Sequence, residues 1–201
     1  MIKKNQKKLL NVGGNSKEIP VPEQYAGWQQ DLLDIDPACK PDILCDARDM
    51  QSLEKDSYDV VYCSHNLEHY YLHDALKVLR GFIHVLKPDG FSHICVPDIA
   101  RLMKTVVEER LDMFDVLYQS PMGPIRVCDM LYGHQRKIEN SGQEYFSHKM
   151  GYSGESLKKL LLEAGFKIIA ISQGKFNVTA LAFFEIPEKS VMQDFNIVID
   201  S

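Results

Sequence analysis

The stretch at residues 58–71 constrains the fold of this chain more than any other part of the sequence. Residues 59–63 read D-V-V-Y-C, a β-branched run with the length and composition of a buried strand. Ser64, His65 and Asn66 then place three polar side chains at the carboxyl end of that strand. In open α/β sheets, ligands bind in the crevice outside the carboxyl ends of the strands. The stretch therefore predicts a binding site at the end of a central strand.

Apolar runs that alternate with helix and turn signals surround this central strand. The runs at 8–12, 32–37, 42–46 and 92–97 read as further strands, and a helix is predicted from about Asp74 to Leu86. This alternation, with near-continuous apolar strands, indicates a parallel sheet. The second and third runs lie only a few residues apart, whereas parallel neighbours normally need a crossover of about a dozen residues. Either one of these two strands is very short or the usual helix between them is missing.

The remainder of the chain divides into an insertion, a helix and hairpin, and a tail. Residues 98–150 read as an inserted cap, with one amphipathic helix after Asp98 and a second helix starting at Pro124. Ser153 is a plausible N-cap for a helix that ends near Gly165, and two β-rich runs follow as a hairpin. We expect a single domain over residues 1–185, with 186–201 as a C-terminal tail.

Composition and charge exclude several classes of protein. The 201-residue chain carries a net charge of −5, which argues against nucleic acid as a main partner because phosphate binding needs a basic surface. No apolar run approaches the roughly 18–20 residues that span a bilayer, so no membrane association is expected. Five cysteines without a C-x-x-C pair fit reduced thiols. With no apolar region behind the basic N-terminus, a cytoplasmic location is expected.

A histidine motif overlaps the end of the central strand. Residues 65–69 read H-N-L-E-H, which matches the H-x-x-E-H signature of inverted zinc proteases. His73 follows His69 by the same four residues that separate His69 from His65. Zinc ligation by that motif requires one continuous helix, but His65 comes two residues after the predicted strand. We therefore expect no metal site, and a zinc hydrolase using His65, Glu68 and His69 is the less favoured alternative.

Acidic residues at the ends of two neighbouring strands form a second pattern. Asp34 lies 21 residues after Gly13, close to the roughly 20 at which a ribose-binding acid follows a glycine turn. Asp46 ends the next strand in the same way. The glycine turn lacks the third glycine of G-x-G-x-x-G, which counts against a nicotinamide or flavin enzyme. Each acid taken alone has the alternative role of capping a turn.

The order of these segments resembles the class I S-adenosylmethionine-dependent methyltransferases, in particular the small type-11-like group. The resemblance spans about residues 8–185, and S-H-N-L-E-H together with V-L-K-P-x-G carries most of its specificity. The matching segments are residues 9–14, 33–46, 57–69 and 78–98, with 151–166 similar to the last helix of that group. The resemblance implies a Rossmann-like α/β fold with a mostly parallel sheet, a C-terminal antiparallel hairpin and a cap inserted after Pro97.

The resemblance also implies S-adenosyl-L-methionine as cofactor and a set of residues that hold it. They are Gly13, Gly14 and Asn15 at the methionine end, Asp34 at the ribose, Asp46 and the Ala47 amide at the adenine, and Ser64 and His65 beside the sulfonium. Such enzymes often need little acid–base chemistry, because the sulfonium is already a reactive methyl donor. His65 is the first candidate for a general base, and His148 in the cap is the second.

Two departures from the family pattern keep an inactive methyltransferase-like scaffold as the alternative. The glycine turn lacks its usual third glycine, and Pro20 and Pro22 shorten the first crossover helix. The acids at positions 34 and 46 favour an active enzyme. We expect a small-molecule substrate, because the cap has no dense basic patch interleaved with aromatic residues. The cap side chains expected to face the cleft are Tyr132, His134, Arg136, Tyr145 and His148. The methylated atom and the oligomeric state do not follow from the sequence.

Overall fold

A twisted seven-stranded sheet organises the molecule. The computed structural model describes residues 6–121 and 123–197. The strands of the main sheet are β1 (Lys8–Val12), β2 (Gln29–Asp34), β3 (Ile43–Leu44), β4 (Tyr58–Ser64), β5 (Leu86–Pro97), β8 (Ile168–Gln173) and β9 (Asn177–Phe183). A separate two-stranded sheet pairs β6 (Val116–Ser120) with β7 (Gly123–Arg126).

Six α-helices accompany these strands in the described part of the chain. They are α1 (Leu72–Val85), α2 (Ile99–Glu109), α3 (Val127–Tyr132), α4 (Gln135–Ser141), α5 (Gly154–Ala164) and α6 (Lys189–Asp194). Shorter 3₁₀ helices occupy Glu23–Tyr25, Pro37–Cys39, Ala47–Ser52, Leu67–His69 and Glu144–Phe146. None of the helices in the described ranges is long and apolar enough to cross a bilayer.

The strand order of the main sheet is β3-β2-β1-β4-β5-β9-β8. Every neighbouring pair from β3 to β5 is parallel, and β9 is antiparallel to both of its neighbours. Chain order reverses direction between β1 and β4, so the crevice at their carboxyl ends is the point where ligands bind in such sheets. The predicted α/β fold with a mostly parallel sheet and a C-terminal antiparallel hairpin is confirmed.

The first two crossovers of the sheet contain no α-helix. Between β1 and β2 the chain forms only the 3₁₀ turn Glu23–Tyr25, and between β2 and β3 only Pro37–Cys39. Strand β3 has two residues. Both alternatives left open by the close spacing of these runs are therefore realised, since the strand is short and the helix is missing.

The two faces of the sheet are covered in different ways. Helices α1 and α5 pack on one face and bury side chains such as Phe82, Leu157 and Phe166. The other face is covered by the irregular segment before β2, with Tyr25 and Trp28, and by the segment that includes α6 and Phe195. Residues far apart in the sequence thus replace the helix that is absent from the first crossover.

The inserted segment folds as helix α2, the β6–β7 hairpin and two short helices. The prediction of a helix starting at Pro124 is wrong, because that residue lies in β7 opposite Gln119 and helix α3 begins three residues later. The predicted caps of the next long helix are confirmed, since Ser153 accepts a hydrogen bond from the Ser156 N–H and Gly165 follows the last turn.

Candidate active site

A cleft of about 910 Å³, part of it open to solvent, lies at the carboxyl ends of the central parallel strands. One wall comes from the strand ends and contains Gly13, Asn15, Asp34, Asp46, Arg48, His65 and Asn66. The opposite wall comes from the inserted segment and contains Lys137, Tyr145, Phe146 and Lys149.

The glycine turn after β1 brings the main chain against the cleft. Gly13 has φ of +70°, and its N–H donates to the Leu33 carbonyl at 2.8 Å. A Cβ at residue 13 would overlap the side-chain amide of Asn66, so only glycine fits there. Asn15 also has positive φ, and its N–H donates to the Asp34 carboxylate at 3.2 Å. The turn is therefore fixed to the end of β2 and leaves room for a ligand.

Asp34 is the acid that β2 delivers to the cleft. Its side chain is buried, and its two oxygens accept the N–H groups of Asn15 and Asp36 at 3.2 and 3.0 Å. The Asp36 carboxylate instead caps the following 3₁₀ helix by accepting the Ala38 N–H at 2.9 Å, and it is not part of the cleft wall. A carboxylate has further lone pairs, so Asp34 can still accept hydrogen bonds from a ligand.

Asp46 reaches the cleft already paired with a cation. It accepts the Arg48 main-chain N–H at 2.9 Å, and the Arg48 guanidinium binds both of its oxygens at 2.6 to 3.0 Å. Burial alone would raise the pKa of Asp46, but the hydrogen bonds from Arg48 lower it below its ordinary value. Arg48 also lies 3.5 Å from Asp74 on α1. This end of the cleft is an ion-paired cluster, and its arginine was not predicted from the sequence.

His65 occupies a left-handed conformation where β4 ends. Its φ is +51°, its N–H donates to the Cys95 carbonyl at 2.8 Å, and its Nδ1 lies 3.5 Å from Glu68 Oε1. Burial lowers the pKa of His65, but interactions with Cys95 and Glu68 outweigh it and raise the pKa to about 10. The 65–69 motif is not a continuous helix, which removes the alignment of histidines that the zinc-protease interpretation needs.

Glu68 is a buried acid beneath the cleft, with 1% of its surface exposed. Burial acts to raise the pKa of its carboxyl, but the neighbouring imidazoles, His65 foremost, lower it overall. His148 Nε2 lies 3.9 Å from Glu68 Oε1. Burial lowers the pKa of His148, so this imidazole is neutral at pH 7. His148 itself lies behind the cleft wall rather than in it.

Main-chain hydrogen bonds attach the inserted segment to the 65–69 motif. The N–H groups of Lys149 and Met150 both donate to the Glu68 carbonyl, at 2.8 and 3.1 Å. The Lys149 ammonium donates to the His69 carbonyl at 3.0 Å. These contacts hold one wall of the cleft against the strand ends.

The structure brings most of the predicted site residues together. Gly14, Ala47 and Ser64 lie directly beside wall residues without forming the wall themselves. Among the predicted cap residues, Tyr145 lines the cleft, whereas Tyr132 is 57% exposed and both His134 and Arg136 lie outside the wall. Lys137, Phe146 and Lys149 were not predicted, because they come from a polar stretch without helical or strand periodicity.

Comparison with solved structures finds the same architecture at low sequence identity. A SAM-dependent methyltransferase from Archaeoglobus fulgidus is 16% identical with a TM-score of 0.55, over 89% of this chain and 86% of that chain. The PH0226 protein from Pyrococcus horikoshii OT3 is 14% identical with a TM-score of 0.59, over 90% and 84%. A Burkholderia thailandensis 1,6-didemethyltoxoflavin-N1-methyltransferase with bound S-adenosylhomocysteine is 14% identical with a TM-score of 0.51, over 88% and 70%. Curated proteins give no significant match.

The sheet order, the glycine turn after β1 and the buried acid at the end of β2 define a Rossmann-like fold that binds a nucleoside cofactor. The sequence matches the family model described as a methyltransferase domain over residues 2–171. The chain therefore belongs to this methyltransferase family and is a class I S-adenosylmethionine-dependent methyltransferase. Its cofactor is S-adenosylmethionine.

Proposed function

We propose that this enzyme methylates a small-molecule acceptor, which binds between the strand ends and the inserted segment. The observation that carries the proposal is the position of Asp34. It is a buried carboxylate that lines the cleft beside the glycine turn, and the neighbouring Asp36 is engaged elsewhere. A carboxylate at the end of β2 accepts hydrogen bonds from both ribose hydroxyls of a nucleoside.

The residues present fit the cofactor along the whole length of the cleft. Gly13 and Asn15 offer a main chain that approaches the methionine end closely, and Asp34 receives the ribose. Asp46 lies at the adenine end, with Ala47 buried behind it, and the Arg48 guanidinium holds the Asp46 carboxylate in one orientation. When bound, S-adenosylmethionine supplies an electrophilic methyl group on a sulfonium, so the task of the protein is to position the acceptor.

We place the acceptor beside His65 and beneath Tyr145, Phe146 and Lys149, where both walls of the cleft meet. Aromatic side chains flanked by a few polar groups are typical of small-molecule sites. The Burkholderia thailandensis methyltransferase, by its description, holds the small molecule 1,6-didemethyltoxoflavin. The net charge of −5 supports a small acceptor over nucleic acid.

His65 serves this site better as a hydrogen-bond donor than as a general base. With its pKa raised to about 10, the imidazole stays protonated at pH 7 and has no free lone pair to take a proton. His148 is neutral at that pH but lies behind the cleft wall, so we assign it no proton transfer. Positioning of the acceptor, rather than acid–base chemistry, is the contribution that these residues support.

Calorimetric titration with S-adenosylhomocysteine tests the cofactor site. We expect Asp34→Asn to weaken binding about ten- to a hundredfold, because an amide group replaces one acceptor oxygen and an unpaired ribose hydroxyl in a closed site costs about 1–3 kcal/mol. Asp36→Asn is the matched control, since its carboxylate binds the Ala38 N–H outside the cleft. A larger loss in Asp36→Asn than in Asp34→Asn would contradict the assignment of the ribose acid.

Transfer of a labelled methyl group into a fractionated cell extract tests the class of acceptor. The extract is incubated with the enzyme and methyl-labelled cofactor and then separated by ultrafiltration. Label in the low-mass fraction that depends on Asp34 supports the proposal. Label confined to protein or nucleic acid would overturn it. If the cofactor binds and no fraction of the extract is labelled, the inactive-scaffold alternative replaces it.

A further inference from the structure

Three side chains with metal-binding atoms converge beneath the cleft. They are Glu68, His69 and His148, here called the Glu-His-His cluster, and their ligand atoms all lie within 4.8 Å of one another. Glu68 and His69 come from the loop after β4, whereas His148 lies 79 positions after His69 in the inserted segment. The H-x-x-E-H motif already contains Glu68 and His69, but its third member is His65, whereas the cluster takes the distant His148 instead.

Both histidines of the cluster are held in the orientation that a metal ligand needs. His69 Nδ1 lies 3.1 Å from the Ser147 carbonyl, and His148 Nδ1 lies 3.0 Å from the Met130 carbonyl. A carbonyl only accepts hydrogen bonds, so each Nδ1 carries a proton, and in the neutral imidazole Nε2 is the nitrogen with the free lone pair. Fixing the tautomer through the outer nitrogen in this way is a recurring feature of histidines that bind metals.

The Glu68 carboxylate is buried beside imidazoles but makes no hydrogen bond with them. Only 1% of its surface is exposed, and neither oxygen accepts a hydrogen bond within the described residues. The nearest imidazole nitrogens are His65 Nδ1 at 3.5 Å and His148 Nε2 at 3.9 Å. A buried carboxylate without hydrogen bonds is costly unless it is paired or coordinates a metal.

The main chain holds the two halves of the cluster together independently of any ion. The double hydrogen bond from Lys149 and Met150 to the Glu68 carbonyl joins the residues that follow His148 to the main chain of the cluster acid. The His148 N–H donates to the Tyr132 carbonyl at 3.1 Å on the other side. Main-chain hydrogen bonds therefore hold the cluster residues near one another, which a chance approach of surface side chains would not do.

We propose that Glu68, His69 and His148 form a binding site for one divalent transition-metal ion. Two imidazoles and one carboxylate suit Zn²⁺, Fe²⁺, Co²⁺ or Ni²⁺ better than Mg²⁺ or Ca²⁺, which prefer oxygen ligands. Bonds of about 2.0–2.2 Å at near-tetrahedral angles place two ligand atoms roughly 3.3–3.6 Å apart. The ligand atoms, which lie within 4.8 Å of one another, therefore close by up to about 1–1.5 Å when an ion binds.

The proposed ion would be reached from the cleft, since His69 lies in the cleft wall while Glu68 is buried behind it. Three protein ligands leave at least one coordination position open for a further ligand. An oxygen or nitrogen of a bound small molecule is the group that can occupy it. The proposal does not rest on the proposed acceptor, because the ligands are protein side chains and the ion binds without cofactor or substrate.

Metal binding by the whole chain, stripped with a chelator and free of cofactor, tests the site. Calorimetry with Zn²⁺ alone, together with the visible absorption of added Co²⁺, reports the number of sites and the nitrogen ligands. We expect one ion per chain, and a loss of affinity of about a hundredfold in His148→Gln. Even residues that only orient metal ligands typically contribute ten- to a hundredfold.

Control variants separate this site from adventitious binding by surface histidines. His73→Gln is the matched control, because His73 belongs to the same sequence motif but has a side chain that is 73% exposed. Glu68→Gln is the second test variant, which loses affinity while circular dichroism confirms that it folds. Absence of binding in the wild-type chain overturns the proposal, as does binding that His73→Gln reduces and His148→Gln leaves unchanged. Asp34→Asn should bind the ion normally, which distinguishes this result from failure of the cofactor site.

Discussion

Gly13 lies directly against the side-chain amide of Asn66, so the glycine turn and the loop after β4 leave no room for a Cβ between them. We expect Gly13→Ala to destabilise the fold by about 2–4 kcal/mol. About 1–2 kcal/mol comes from the positive φ and the rest from overpacking. It should also abolish measurable binding of S-adenosylhomocysteine. Urea unfolding and calorimetry provide the two measurements.

Gly27→Ala is the control for that experiment. Gly27 also has positive φ, +79°, but a Cβ there would meet no atom within 4 Å. Gly27→Ala should therefore lose only the free energy that the positive φ costs, and it should keep its affinity for S-adenosylhomocysteine. Equal destabilisation of the two variants would mean that the contact with Asn66 carries no cost.

Lys137 connects the inserted segment to the glycine turn. Its ammonium donates to Asn15 Oδ1 at 3.2 Å and lies 3.9 Å from the centre of the Phe146 ring. We expect Lys137→Met to weaken S-adenosylhomocysteine binding about three- to tenfold, the loss of one hydrogen bond of about 1 kcal/mol. Lys158→Met, on the exposed side of α5, should leave the dissociation constant unchanged in the same titration. An unaltered constant in Lys137→Met would show that the cap does not support the turn.

His93 gives the fold a defined dependence on pH. Its ring is buried against Tyr25, whose hydroxyl lies 2.9 Å from His93 Nδ1, and burial lowers the pKa of His93 to about 4. The unfolded chain binds this proton near pH 6.5, so it is protonated first as the pH falls. Stability should therefore fall from about pH 6.5 to about pH 4, by roughly 3 kcal/mol in total.

The measurement is urea unfolding across that pH range for the wild type and for His93→Gln. The variant keeps a polar side chain near Tyr25 but has no group that titrates there. The difference between the two proteins isolates His93 from the carboxylates that also titrate at low pH. Parallel stability curves between pH 4 and 6.5 would contradict the prediction.

Phe195 closes the face of the sheet that lacks a crossover helix. Its ring lies 5.8 Å from the rings of Tyr25 and Phe91 and 5.6 Å from that of His93. We expect Phe195→Ala to cost about 2–3 kcal/mol, at the low end for a phenylalanine because its ring is only partly buried. Thermal unfolding should show a decrease of roughly 4–12 °C. Gln193→Ala, at an exposed position two residues earlier, should change the melting temperature by no more than about 2 °C.

The central part of the fold could be predicted because local and global signals agree there. Strand β4 and the polar residues at its end follow from one β-branched run, and α5 follows from Ser153 and Gly165 at its ends. The position of Asp34 followed from its spacing to Gly13. These features depend on residues close in the sequence or on the regular alternation of strands and crossovers.

The remaining features depend on contacts between distant residues. The ion pair of Arg48 with Asp74 has no sequence signature, and neither does the approach of His148 to Glu68. Pro124 illustrates the same limit, because proline is equally acceptable at the first turn of a helix and in a two-stranded ribbon. Only the folded chain decides between those environments.

The second face of the sheet is covered partly by residues near the end of the chain, and this has a consequence for synthesis on the ribosome. Residues 189–197, which cover Tyr25, Phe91 and His93, are translated after all nine strands. At about 5–20 residues per second, each nascent chain passes through seconds in which that apolar face is bare. The folded enzyme buries this face, whereas newly made chains expose it as an apolar surface that can aggregate.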